Sequence, residues 1–174
     1  RVAGPAVDEI AAFLAGGDPF EHPDAQRRFA EQVLATLGFE EGAWRLDPTA
    51  HPFCTSFSNR DVRLTTRYRP DDLESVWSTL HEAGHGLYAH GVADALMRTP
   101  LSGAPSLAIN ESQSRTWENL VGRSQAFWQH FFPQWQAAFP AAAAGVKFAD
   151  FYWAVLETKE LPITVVSDTE DLFL

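Results

Sequence analysis

Two histidines four residues apart, with a glutamate directly after the first, stand near the middle of the chain, in Ser78-Thr79-Leu80-His81-Glu82-Ala83-Gly84-His85-Gly86-Leu87-Tyr88. On an α-helix, positions i and i+4 share one face and sit about 6 Å apart along the axis. His81 and His85 can therefore offer two imidazole nitrogens to one metal ion, and a His-Glu-x-x-His helix has a physical mechanism. Zinc held by two histidines and a carboxylate, with its fourth position open, lowers the pKa of its water to about 7. Glu82 is placed to reach that water rather than the ion and to act as its general base. Chance also produces this five-residue pattern, as a polar surface pair or a satisfied core pair, so the flanking residues must decide.

The flanks favour a helix. Pro70 and Asp71-Asp72 supply a turn and negative charge suited to a helix N-terminus. Leu73, Val76, Leu80, Ala83 and Leu87 form an apolar stripe at helical spacing. Gly84 and Gly86 each weaken the helix by about 1 kcal/mol relative to Ala, so their place beside the motif implies tight packing against another backbone or a substrate. A third protein ligand is also required, and a glutamate on a following helix is the arrangement of gluzincin metallopeptidases. Glu111, Glu118 and Glu157 are the candidates. Glu111 lies at the start of the next helix, after a loop long enough for that helix to fold back antiparallel. Glu118 falls two turns later on the same face, either as a partner for a ligand histidine or as a surface salt-bridge residue.

The elements that must position these groups read as one mainly α-helical domain over residues 1–174. The 174 residues suffice for a core, and 45% hydrophobic and 13% aromatic content marks a globular chain. A net charge of −10 argues against nucleic acid or an anionic membrane surface as partner. No apolar run of membrane-spanning length is visible. Cys54, the single cysteine, cannot form an internal disulfide and has no activating neighbours, which fits a small buried side chain in a reducing, cytoplasmic setting.

In chain order, a short helix is expected around residues 7–14, closed by Gly16-Gly17-Asp18-Pro19. An amphipathic helix follows over residues 23–37, with Gly38 as its C-cap, and residues 39–50 read as loop. Residues 53–57 and 62–68 are strand candidates around the turn Ser58-Asn59-Arg60-Asp61, an edge along which an extended peptide could add as a strand. After a loop with Pro100, Gly103 and Pro105, one long helix is expected from Leu107 towards Phe132. Phe127, Trp128, Phe131, Phe132, Trp135 and Phe139 recur at helical spacing and read as core. Residues 141–145 form a linker, residues 148–157 another apolar helix, and His90 and His130 are expected to face solvent.

Several motifs in order make the sequence resemble the carboxypeptidase Taq family of metallocarboxypeptidases. They are His51-Pro52-Phe53, Asp61-Val62-Arg63-Leu64-Thr65, His81-Glu82-Ala83-Gly84-His85 and Asn110-Glu111-Ser112-Gln113-Ser114-Arg115, the last with Asn110 where the family usually has His. The resemblance spans about residues 20–157. It implies a helical metallopeptidase fold with a small β-hairpin or sheet beside the active-site helix. It further implies a Zn²⁺- or Co²⁺-dependent enzyme that removes single residues from peptide C-termini, often as a homodimer. By the motif match, His81, His85 and Glu111 are the ligands and Glu82 the catalytic base. His51, Asp61, Arg63, Arg115 and Glu118 are candidate substrate-binding or ligand-supporting residues, with ordinary ion pairing as the other reading for the arginines.

Family members run several hundred residues longer, on both sides of the matched region. Near the end, Ile163-Thr164-Val165-Val166-Ser167-Asp168 is similar to a family motif that carries Arg where Thr164 stands, and Thr cannot supply bidentate carboxylate binding. The chain is therefore expected to be the central catalytic portion of a longer enzyme or a short relative. The competing readings are a gluzincin of other peptidase specificity, a metal-binding but inactive module, and a purely structural helical protein.

Overall fold

The computed structural model describes residues 23–69 and 73–157, and the expectations for residues 7–14, 16–19, 70–72 and 163–168 lie outside them. The described elements are α1 (Pro23–Thr36), β1 (Trp44–Pro48), β2 (Cys54–Ser58), β3 (Asp61–Thr66) and α2 (Glu74–His90). A 3₁₀ turn (Asp94–Leu96), α3 (Leu107–Arg115), a π-helical turn (Thr116–Val121), α4 (Gln125–Ala138) and α5 (Phe148–Glu157) complete them. The architecture is mainly α with one small sheet, as the residue patterns imply.

Two apolar clusters flank α2, and α1 feeds both. Ala25, Phe29 and Val33, one helical row, enter the larger cluster with Val76, Trp77 and Leu80 of α2. Ala30 and Leu34, the adjacent row, enter the smaller one with Trp44, Leu46, Val62, Leu64 and Ala83. The aromatic series expected as core is core: Trp128 stacks on Phe29 at 6.3 Å and meets Trp77 edge-on at 5.8 Å, while Phe151 of α5 lies 4.4 Å from Trp135. Each such ring removed from water contributes about 1.5–3 kcal/mol. A buried polar pin joins α1 to the start of α2, where Gln26 donates to the Arg69 carbonyl and accepts from the Ser75 hydroxyl at 2.6 Å.

The sheet has the order β1-β3-β2, with β1 parallel and β2 antiparallel to β3. Residues 39–50 are thus not all loop. Trp44 and Leu46 are buried and alternate with outward Arg45 and Asp47, but the strand's partner is remote in sequence and its period covers only a few residues. On β3, Val62, Leu64 and Thr66 are buried, and Thr65 is buried as well.

The single long helix expected after Leu107 is instead three segments. The α-helical ladder widens into the π turn, passes Gly122, and restarts at Gln125 behind Ser124, whose side chain accepts from the Phe127 amide. Gly122 is required there, since a Cβ would sit 2.5 Å from Leu80 Cδ1. His90 also departs from expectation. It is half-buried against Trp44, and its Nδ1 lies 2.6 Å from the Asn59 carbonyl, tying the end of α2 to the β2–β3 turn. His130 is exposed.

Candidate metal centre

The site begins with how closely two helices approach. At Gly84 a Cβ would stand 2.5 Å from Ser114 Cα and 2.7 Å from the Gln113 carbonyl, so only glycine admits α3 at this distance. Gly86, two residues on and facing the other way, lies against the sheet, where a Cβ would stand 2.6 Å from the Trp44 ring. The sequence expectation of tight packing at both glycines thus has two separate partners. α3 itself is started by Ser106, whose side chain accepts from the Ile109 amide at 3.2 Å.

This crossing sets Glu111 over the two imidazoles. Its Oε2 lies 3.6 Å from His81 Nε2 and 3.4 Å from His85 Nε2, and one donor atom from each residue falls within 4.8 Å of the others. Those separations are too long for good hydrogen bonds. They are close to the roughly 3.3–3.4 Å between tetrahedral ligands held about 2.0–2.1 Å from zinc. The three donor atoms lie close enough together to share one cation.

The remaining imidazole nitrogens are anchored from behind. His81 Nδ1 lies 2.9 Å from Glu118 Oε2, and His85 Nδ1 meets Asn110 Oδ1. An ionised carboxylate only accepts, so the His81 ring carries its proton on Nδ1 and keeps the Nε2 lone pair for a cation. Glu118 is 1% exposed and belongs to the π turn, a helical irregularity that recurs at functional sites. Its Oε1 is buried and has no hydrogen-bond partner among the described residues. Arg115 spans the two acids, donating from Nε to Glu111 Oε1 at 2.9 Å and from Nη1 to Glu118 Oε2 at 3.4 Å. The Ser114 hydroxyl lies 3.1 Å from Glu111 Oε2. The donor set of two neutral nitrogens and one carboxylate oxygen, each held from behind, fits a divalent cation of the zinc type.

Charge follows burial here. Burial opposes a charged His81, but the Glu118 hydrogen bond and the carboxylates of Glu82 and Glu111 outweigh it and raise the ring's pKa. Burial lowers that of His85. Glu111 is pushed up by burial, yet His81, Ser114 and Arg115 prevail and hold it below the usual range. Burial pushes Glu82 up to about 7, with Glu111 and Glu118 adding to the rise and His81 opposing it. The Glu82 charge is also felt by Cys54 on β2. Burial pushes the Cys54 thiol up to about 12, which leaves it protonated and no nucleophile.

The other residues singled out from sequence fall elsewhere. Asp61 and Arg63 pair with each other at 2.9 and 3.0 Å on the exposed side of β3, where Arg63 also covers the Phe57 ring. His51 is exposed between β1 and β2, and Glu157 is exposed at the end of α5. None of these four joins the group of His81, His85 and Glu111. Asn110 and Ser114 were missed as working residues; the available signal was their position, directly before Glu111 and one turn after Asn110.

A family model for the carboxypeptidase Taq metallopeptidases matches residues 18–171. Thermostable carboxypeptidase 1 of Thermus thermophilus is 47% identical over 146 residues, and carboxypeptidase 1 of Bacillus subtilis is 37% identical over 146. Each alignment takes in 83% of this chain but only 28% and 29% of those proteins. The crystal structure of a carboxypeptidase from Deinococcus radiodurans superposes with a TM-score of 0.75 at 43% identity, over 86% of this chain and 31% of that one. A carboxypeptidase structure from Pyrococcus furiosus gives 0.73 at 37% identity, over 86% and 32%. The chain spans under a third of the length of these relatives. On the match of most of its length, this chain belongs to the carboxypeptidase Taq family of metallopeptidases.

Proposed function

We propose that the chain is the catalytic portion of a metal-dependent carboxypeptidase that hydrolyses the C-terminal peptide bond of peptides. The observation that carries this reading is the convergence of His81 Nε2, His85 Nε2 and Glu111 Oε2 on one point, with Glu82 buried beside them. A zinc or cobalt ion held by those three residues would supply Lewis acidity toward the scissile carbonyl and an acidified water. Glu82 takes the water's proton and passes it to the leaving amine, and its pKa of about 7 suits both directions. Arg115 and Ser114 hold Glu111 in its orientation, and Glu118 and Asn110 hold the rings. β2 is the edge strand beside Glu82, with Phe53 and Phe57 exposed, and it offers an extended peptide a strand to pair with.

The wider setting in this reading is cytoplasmic, with no nucleic-acid partner, in keeping with one cysteine and a net charge of −10. Among the described residues no helix is long and apolar enough to cross a membrane. A homodimer belongs to the same reading and is checked by light scattering.

The test combines metal content with release of the last residue from a blocked dipeptide, for the wild type and Glu82→Gln. Stoichiometric zinc, with turnover lost in the variant by about 10²–10⁴-fold, is the expected result. A chain that carries no zinc overturns the reading. Amidated peptides should be inert, and their cleavage would point to another peptidase specificity. One observation favours a second reading, a metal-binding module without turnover: Leu107 and Leu120, on α3 and the π turn, are 89% and 72% exposed, an apolar surface suited to further protein. Bound zinc without activity in either protein would select it.

A further inference from the structure

The two imidazoles of the ligand group are supported unequally. Behind His81 stands the carboxylate of Glu118; behind His85 stands the neutral amide of Asn110. We propose that Asn110 is the positioning residue for His85, fixing its ring as the Nδ1–H tautomer without adding charge to the site. This rests on the reading of His81, His85 and Glu111 as ligands.

Three observations converge. Asn110 sits in the first turn of α3, which the Ser106 cap sets and the Gly84 crossing presses against α2, so its side chain reaches His85 without spanning a gap. Its Oδ1 can only accept, and the contacting ring atom is Nδ1, so the hydrogen bond selects one tautomer of an otherwise balanced pair. The charge count then explains an amide in this place. Glu82, Glu111 and Glu118 already gather three acidic side chains around the point where the donor atoms meet, with Arg115 bonded to Glu111 and Glu118 and the Arg123 guanidinium acting on Glu118. An aspartate at 110 would orient His85 equally well but would add a further buried-edge charge, and like charges gathered at one site oppose each other.

The consequence is a division of labour. The carboxylate on His81 makes that ring the more basic donor, and the amide on His85 supplies orientation alone. Removing the acceptor should therefore act on His85 and leave His81 as it was.

The experiment uses ring-nitrogen NMR on the ¹⁵N-labelled chain without metal, and zinc affinity by competition with a chromophoric chelator. The variants are Asn110→Leu, which keeps the size and removes the acceptor, and Asn110→Asp, which restores one. For Asn110→Leu we expect His85 to change from one tautomer to a mixture, with zinc affinity falling about 10–100-fold. For Asn110→Asp we expect the single tautomer, with affinity within a few-fold of wild type or above it. An unchanged His85 spectrum and affinity in Asn110→Leu would overturn the assignment. So would an Asn110→Asp protein that loses both as the Leu variant does. If the wild type binds no zinc, the ligand reading fails, and the metal-free spectra still decide the role of Asn110.

Discussion

α2 presents two faces that are built on opposite rules. One carries Val76, Trp77 and Leu80 into an aromatic cluster with Phe29, Trp128 and Phe151. The other carries His81, Glu82 and His85 into a polar seam with Glu111, Arg115 and Glu118. The apolar face depends on volume and shape, and swaps of similar size are tolerated there. The polar face depends on single atoms, because each donor has one named acceptor and a lost partner leaves a buried group unsatisfied. Stability should therefore reside mainly on the first face and chemistry on the second.

The largest test of that division is Trp128→Ala. It removes a fully buried ring that also donates to the Gly122 carbonyl at 2.8 Å. Urea denaturation should show a loss of about 3–5 kcal/mol. Zinc affinity of the protein that remains folded should be unchanged, and a parallel loss of affinity would dissolve the distinction between the faces.

Gly84→Ala attacks the border between them. The new methyl meets backbone atoms of α3 rather than a movable side chain, so α3 must retreat and take Glu111 with it. We expect a cost of about 1–3 kcal/mol in stability together with weaker zinc binding. A variant that loses stability but keeps full affinity would show that Glu111 is not set by the crossing.

Glu118→Gln is smaller in stability and confined to the seam. It keeps an acceptor for His81 but discards the charge, and zinc affinity should fall roughly 10–100-fold in isothermal titration. Equal affinity would assign the buried carboxylate to packing instead.

The smallest effect is a pH slope. The pKa of His81 is raised in the folded chain, so its protonation stabilises the fold below about pH 6.5, and this contribution fades as pH climbs through the folded value. Zinc requires the unprotonated ring, so its own stabilisation grows over the same rise. The zinc-induced rise in Tm should be slight near pH 5 and larger near pH 8, where the stabilisation behind it approaches about 2.7 kcal/mol at a hundredfold excess over Kd. A shift that does not vary with pH would separate the histidines from the ion.

The same contrast explains what could be read in the residues alone. The helix of α2, the aromatic core and the hairpin of β2 and β3 announce themselves through local periodicity or a turn signal. The His-Glu-x-x-His pair is legible because residue identity is enough to suggest its chemistry. β1 was hidden because its partner is β3 and not its sequence neighbour, so no local turn marks it. The π turn was hidden because Thr116–Val121 is compatible with an ordinary helix, and the packing of Gly122 on Leu80 and the contact of Glu118 with His81 are tertiary. Asn110 escaped for a related reason: an amide beside a carboxylate becomes informative only when the opposite helix delivers His85 to it.

The strand order has a further consequence, for synthesis. β1 and β2 are made first, yet neither pairs with the other; both form their ladders with β3, the last to be translated. The β2–β3 ladder runs to Leu64 and the β1–β3 ladder to Thr66, so the sheet is complete only when β3 has left the ribosome, and α2 begins a few residues later, at Glu74. The sheet against which Gly86 packs is thus completed just as the helix that needs it emerges, so the surface and the segment it receives arrive in the order that lets one template the other.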